Sequence, residues 1–164
     1  MVNLKQQQGY TLIEMIIVVA IIGIVAFMGP SLIFQFVRFY TLHEAKIEIQ
    51  RDARADLDMI NRFLRQAQSS TVIVDEATNQ PPLSRITFTT VEGQTMSFYQ
   101  SGKTLYEVGQ STIALSQNLQ YIAFTYPRTD DPTIISVAMT MEKDTYQGQF
   151  KALELSIQKV RIMN

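Results

Sequence analysis

The chain has 164 residues, 46% of them hydrophobic, 18% charged and 10% aromatic, with no Cys, no Trp and one His. That length suits one domain of modest size with an appendage, and a formal net charge of −1 leaves no basic excess to hold a nucleic-acid backbone. The lack of Cys excludes disulfides, thiolate metal sites and a Cys nucleophile, and the single His43 excludes a multi-His zinc site.

Mean hydropathy is near zero, at +0.04, but its distribution is lopsided. Residues 1–9 are polar and carry one charged side chain, Lys5. Residues 10–37 are nearly all apolar: Glu14 is the one charge, and Thr11, Ser31 and Gln35 are the other plainly polar residues. As a helix, residues 12–37 would extend about 39 Å, against about 30 Å for a bilayer core. A cleaved signal peptide has a shorter apolar run, about 7–15 residues, ending at a small-x-small site. The end of this run, Val25-Ala26-Phe27-Met28-Gly29-Pro30, offers a poor one, so the pattern predicts a spanning helix. Glu14 then costs up to about 2.5–3.5 kcal/mol, less near the interface. It is either a solvated interfacial carboxylate or a charge that finds a cationic partner in an assembly.

Gly29-Pro30 predicts a kink or local break, because proline lacks the N–H that a helix interior uses. Beyond it the helical period persists. Ala53, Leu57, Ile60, Leu64 and Ala67 form one apolar stripe, and Glu44, Lys46, Glu48, Arg51, Asp52, Arg54, Asp56, Asp58, Arg62 and Arg65 form a mixed-charge solvated face. His43 reads as a solvated or hydrogen-bonded side chain near the membrane surface. After residue 69 the period becomes alternating. Runs at 85–90, 95–100, 104–108, 119–126, 133–141 and 152–160 are rich in Ile, Val, Thr, Phe and Tyr, which predicts strands. Residues 111–118 suit a short strand and loop. Turn signals separate the runs: Gln80-Pro81-Pro82, Glu92-Gly93, Ser101-Gly102-Lys103, residues 127–132 and Gln147-Gly148. Glu92-Gly93 and Ser101-Gly102 read as hairpin turns, so a meander is expected. The expected fold is α+β. A long N-terminal helix, with a membrane-spanning half and an amphipathic half, packs its stripe on a small antiparallel β-rich head.

No catalytic constellation is legible. The sole His lies beside the membrane segment, and no GxSxG elbow, phosphate-binding Gly loop or HExxH is present. The chain therefore does not read as an enzyme, and no cofactor, metal or small-molecule ligand is expected. Asp75-Glu76 and Asp130-Asp131 are acidic pairs, and Asp130 and Asp131 are weak Ca²⁺ candidates in a loop whose composition is that of a turn. Phe98, Tyr99, Tyr106, Tyr121, Phe124 and Tyr126 have no interleaved Lys or Arg, so core packing is expected over stacking on bases.

Gly9-Tyr10-Thr11-Leu12-Ile13-Glu14, followed by an apolar helix, closely resembles the processing signal of type IV prepilins. The resemblance implies cleavage between Gly9 and Tyr10 by a prepilin peptidase, which then methylates the new amino terminus. It makes Glu14 the fifth mature residue; the family's usual first residue is Phe, and Tyr10 stays aromatic. Cleavage would turn Tyr10 into a cation at the helix head. Glu14 of a neighbouring helix can face that amine, which would set the stagger between subunits. More diffusely, residues 51–68, Ile86-Thr87-Phe88, Met96-Ser97-Phe98-Tyr99, Gly102 to Tyr106, Leu119 to Tyr126 and the ending Val160-Arg161-Ile162-Met163-Asn164 resemble J-type minor pseudopilins and W-type minor pilins. The resemblance divides the chain into a leader at 1–9, a transmembrane and filament-core helix at 10–37, an amphipathic extension at 38–68 and a globular head at 69–164. It implies assembly with other pilin or pseudopilin subunits in a type IV pilus or type II secretion pseudopilus. It also implies a single pass of the cytoplasmic membrane with the head outside; nucleic acid is not an expected partner, and DNA uptake stays open as one of the machines such subunits serve. Arg38, Lys46, Arg51 and Arg54 on the C side outnumber Lys5 on the N side, which by the positive-inside rule alone predicts the opposite orientation. The alternative reading is an uncleaved anchor carrying an extracytoplasmic binding module.

Overall fold

The computed structural model describes residues 9–145 and 151–163. The leader up to residue 8 with Lys5, the turn at Gln147-Gly148 and the terminal Asn164 lie outside the described residues. The chain divides into two compact units, Met1–Tyr40 and Thr41–Asn164.

A single long helix, α1, spans Leu12–Arg65. Helical structure runs without interruption through Gly29 and Pro30, so the local break expected there is absent. The bond that the proline cannot donate is one among many in a 54-residue helix, and the Ser31 hydroxyl donates to the Met28 carbonyl at 2.8 Å one turn back.

In the second unit, α1 buries the expected stripe. Ala53, Leu57, Ile60 and Leu64 are buried, and the stripe extends back through Ile49 and Ala45. The last expected stripe residue, Ala67, is also buried but lies past the helix. Bonds from Gln66 N to Phe63 O (3.0 Å) and from Ala67 N to Leu64 O (3.2 Å) tighten the final turn. Ala67 then bridges Thr90, and Gln68 N donates to Thr89 O at 2.9 Å.

Eight strands follow: β1 (Ile73–Asp75), β2 (Arg85–Thr89), β3 (Thr95–Ser101), β4 (Thr104–Val108), β5 (Thr112–Ser116), β6 (Leu119–Thr125), β7 (Ile134–Asp144) and β8 (Lys151–Arg161). They form two antiparallel sheets in chain order, β1-β2-β3-β4-β5 and β6-β7-β8. Both expected hairpin glycines have left-handed backbones, with φ +84° at Gly93 and +61° at Gly102. Gly102 is the first central residue of the two-residue loop between Ser101 and Thr104, the place where a type II′ turn demands glycine.

Alternation sorts the faces. Ile86, Phe88, Met96 and Phe98 of the first sheet and Ile122, Phe124, Val137 and Met139 of the second join the helix stripe in one buried cluster. The Phe88 and Phe98 rings stack at 6.2 Å, with Phe63 of α1 tilted against Phe98 at 6.1 Å. Of the six aromatics expected in the core, Tyr121 and Tyr126, the latter 40% exposed, do not join it, and neither do Tyr99 and Tyr106. Tyr99 and Tyr106 each sit one residue out of phase with their sheet's inward row, and their rings stack on each other at 5.4 Å.

One polar residue joins the two sheets. Gln100 of β3 is buried; its Nε2 donates to Gly102 O (2.9 Å) and Gln120 O (3.0 Å), and its Oε1 accepts from Ile122 N (3.1 Å). Phe124 N donates to Leu83 O at 2.9 Å, and Leu83 holds φ +65°. A leucine rarely adopts that conformation, at a cost of about 1–2 kcal/mol. The alternate residues 120, 122 and 124, which point away from β7, thus find partners across the sheet boundary, and the outer edge of β6 is closed.

Candidate functional site

The candidate site is the start of α1. Gly9 and Tyr10 precede the helix, and Tyr10 is 86% exposed. Among the described residues beyond its chain neighbours, nothing lies within 4 Å of where a Cβ on Gly9 would sit. Thr11 and Glu14 form a reciprocal N-terminal cap. Thr11 N and Thr11 Oγ1 both donate to Glu14 Oε2 at 2.8 Å, and Glu14 N donates to Thr11 Oγ1 at 3.4 Å. This is a capping box: Glu14 satisfies a backbone donor that the helix leaves orphaned, and its negative charge sits at the positive end of the helix dipole.

The role of Thr11 was missed from the sequence, although the Thr-x-x-Glu spacing before an apolar run is its signature. A carboxylate in this position is stabilised within its own chain. The cap and a bond to a neighbour's amine both draw on the same group.

From Leu12 onward the helix presents apolar side chains on every side. Its most apolar window has a mean hydropathy of 2.7 and none of that window is buried. Ile13, Ile16, Val19, Phe27, Phe34 and Phe36 are all exposed. A helix that is hydrophobic all round needs lipid or other helices about it. Among the described residues, this is the one helix long and apolar enough to cross a membrane.

The acidic pairs of the head are turned to local structure. Asp131 Oδ1 accepts from Thr133 N (3.0 Å) and Thr133 Oγ1, which holds its carboxyl below the usual carboxylate range. Asp130 lies 3.4 Å from Arg128 Nε. Asp75 makes a two-pronged pair with Arg85 across β1 and β2, at 2.6 and 2.5 Å, and its carboxyl is likewise lowered. Among the described residues no three His, Cys, Asp or Glu are grouped so as to hold a metal.

Asp56 departs from the solvated face assigned to it. It is 5% exposed, and its Oδ2 has no hydrogen-bond partner among the described residues. Burial pushes its carboxyl up to about 6; the Ser116 hydroxyl tempers the rise without making a well-aligned bond, and Asp52 adds to it. Its periodicity is at fault. Asp56 lies three residues after Ala53 and one before Leu57, at the margin of the apolar stripe, where packing against the first sheet covers it.

Comparison with known proteins bears on the N-terminal segment. Residues 4–29 match the prokaryotic N-terminal methylation motif. That motif supports a type IV pilin-like protein. No curated protein and no solved structure matches the chain. The matched region contains Gly9, Tyr10, Thr11 and Glu14 together with residues 12–29 of the apolar helix, so the chemical signal and the capped, exposed helix coincide.

Proposed function

We propose that the chain is a minor pilin or pseudopilin subunit, of the J-type found in type II secretion or the W-type found in type IV pili. A prepilin peptidase cleaves it between Gly9 and Tyr10 and methylates the Tyr10 amine. It is held in the cytoplasmic membrane by α1 with its head outside, and joins a filament through that helix at or near the tip. There it supports initiation of a pilus or a secretion pseudopilus. Its role is structural and needs no catalytic centre.

The observation that carries this reading is the methylation motif at residues 4–29, set on a helix whose apolar surface is exposed on all sides. Lateral packing of such helices buries that surface. Glu14 adds a charge that favours one stagger, since a carboxylate and an amine attract strongly in a low dielectric. The minor role draws support from the head, which has no Cys for a C-terminal disulfide loop.

The test is the intact mass and N-terminal sequence of the membrane-extracted protein from cells with and without the peptidase. A chain that begins at methylated Tyr10 only where the peptidase is present supports the proposal. A chain that begins at Met1 in both overturns it. One observation favours the uncleaved anchor as a second reading: Thr11 already employs the Glu14 carboxylate as a cap, so Glu14 has a use without a neighbour.

A further inference from the structure

We propose that the outer edge of β8 docks an extended strand from a different polypeptide, one with apolar residues at alternate positions and carboxylates towards its N-terminal end. The proposal rests on the head alone. It goes beyond the reading above, and the N-terminal mass measurement leaves it standing either way.

β8 is the last strand of the second sheet and pairs only with β7 among the described residues. Its register against β7 is regular over all eleven residues. The direction of its backbone groups follows from two bonds. Ile162 N donates to Thr133 O at 2.8 Å, so even-numbered residues here face β7. Glu142 N donates to Asn118 O at 2.7 Å, which confirms that the even residues of β7 face the β6 side. The odd residues 153, 155, 157, 159 and 161 therefore direct N–H and C=O to the open edge. The opposite edge of this sheet is closed by Gln100 and Leu83, whereas β8 has no such cover among the described residues.

The same odd residues carry the second half of the argument. Leu153, Leu155 and Ile157 are 57%, 65% and 62% exposed, while the alternate residues Ala152 and Val160 are buried. Three large aliphatic side chains thus line the strand beside its unmet hydrogen-bonding groups. Natural edges are ordinarily blunted by a charge, a proline or a bulge; no proline or bulge interrupts residues 153–157, and the one charge there, Glu154, lies on the opposite face from the aliphatic row, where Gln50 Nε2 of α1 donates to it at 3.0 Å.

Charge selects the occupant. Lys151 is already bridged to Glu142 at 2.6 Å. Lys159 and Arg161 at the other end make no ion pair within 4.0 Å among the described residues, though Arg161 is near enough to Asp131 to help lower its carboxyl, which leaves Lys159 the less compensated of the two. An incoming antiparallel strand would meet Arg161 and Lys159 with its first residues and the aliphatic row with its later ones. A second copy of β8 is a poor fit. Centred on Ser156 it would set Lys151 opposite Arg161 and Leu153 opposite Lys159, and moved by one pair it would set either Lys151 opposite Lys159 or Leu155 opposite Lys159. Like charges or an unmatched cation face each other in every case, which destabilises a ladder.

The test uses the full-length protein in detergent micelles and a synthetic peptide, Asp-Thr-Glu-Thr-Val-Thr-Val-Thr-Val, with a control in which both acids are Lys. Residue-resolved amide exchange and peptide fluorescence anisotropy are the readouts. Alone, the amides of 153, 155 and 157 should exchange at least about tenfold faster than those of 154, 156 and 158. The acidic peptide should slow the odd amides about tenfold, and the lysine control should bind more weakly at low salt. Leu155→Pro removes one outward N–H, keeps every β7–β8 bond and should abolish peptide protection while the even amides stay protected. Peptide binding unaffected by Leu155→Pro, equal binding of the two peptides, or no protection in the wild-type protein would each overturn the proposal. So would odd-residue protection that rises with protein concentration, which would assign the edge to a second copy.

Discussion

Replacing Asp56 by Asn tests the energetic reading of the helix–sheet interface. Asp56 is buried, and its carboxyl is raised from 3.8 to about 6. A raised carboxyl holds its proton more tightly folded than unfolded. The fold therefore gains stability as pH falls through about 6 towards 3.8, and carries the full cost of the charge above that window. At 1.36 kcal/mol per pKa unit the cost at neutral pH is about 3 kcal/mol. Asp56→Asn removes the charge and keeps the shape. It should raise the unfolding free energy by up to about 3 kcal/mol near pH 8 and by far less near pH 4, where the wild-type carboxyl is itself neutral. Denaturant titration of the full-length protein in micelles at both pH values measures the difference. An Asn variant no more stable than wild type near pH 8, or a gain that persists undiminished near pH 4, would refute the reasoning.

Further outcomes follow from the same packing. Gln100→Ala strips partners from Ile122 N and Gln120 O at the junction of the sheets, and should cost about 2–4 kcal/mol in the same titration. Ile60→Ala opens a cavity beneath fully buried side chains at a cost of about 2–5 kcal/mol, whereas Ile157→Ala, at an exposed position, should change stability by less than about 0.5 kcal/mol. On the proposed function, Glu14→Leu should leave cleavage after Gly9 largely intact, read by intact mass, and reduce recovery of the chain in sheared filaments; unchanged recovery would assign Glu14 to the cap alone. Thr11→Val, which removes the reciprocal hydroxyl, should weaken the first helical turn by about 1 kcal/mol, visible as faster exchange of the Glu14 amide.

Local chemistry carried most of the architecture. The long apolar run and the four-and-three stripe each commit a helix, because burial in lipid or on one face rewards only that period. Gly93 and Gly102 mark hairpins because other residues resist a positive φ there. The Gly9-to-Glu14 motif is contiguous, so it needs no fold to be recognised.

What adjacency in the chain does not encode, only the tertiary structure decided. Two sheets form in place of one because the outer edge of β6 is satisfied by Gln100 and Leu83, residues 20 or more positions away whose directions no local pattern reveals. Asp56 looks solvent-facing by its type and is buried by its angle on the helix against β5. The helix persists through Pro30 because one missing bond is small beside the ladder on either side. The exposed face of β8 is legible as an alternating run, but which half of that alternation faces water, and that its edge stays open, depends on the strands placed around it.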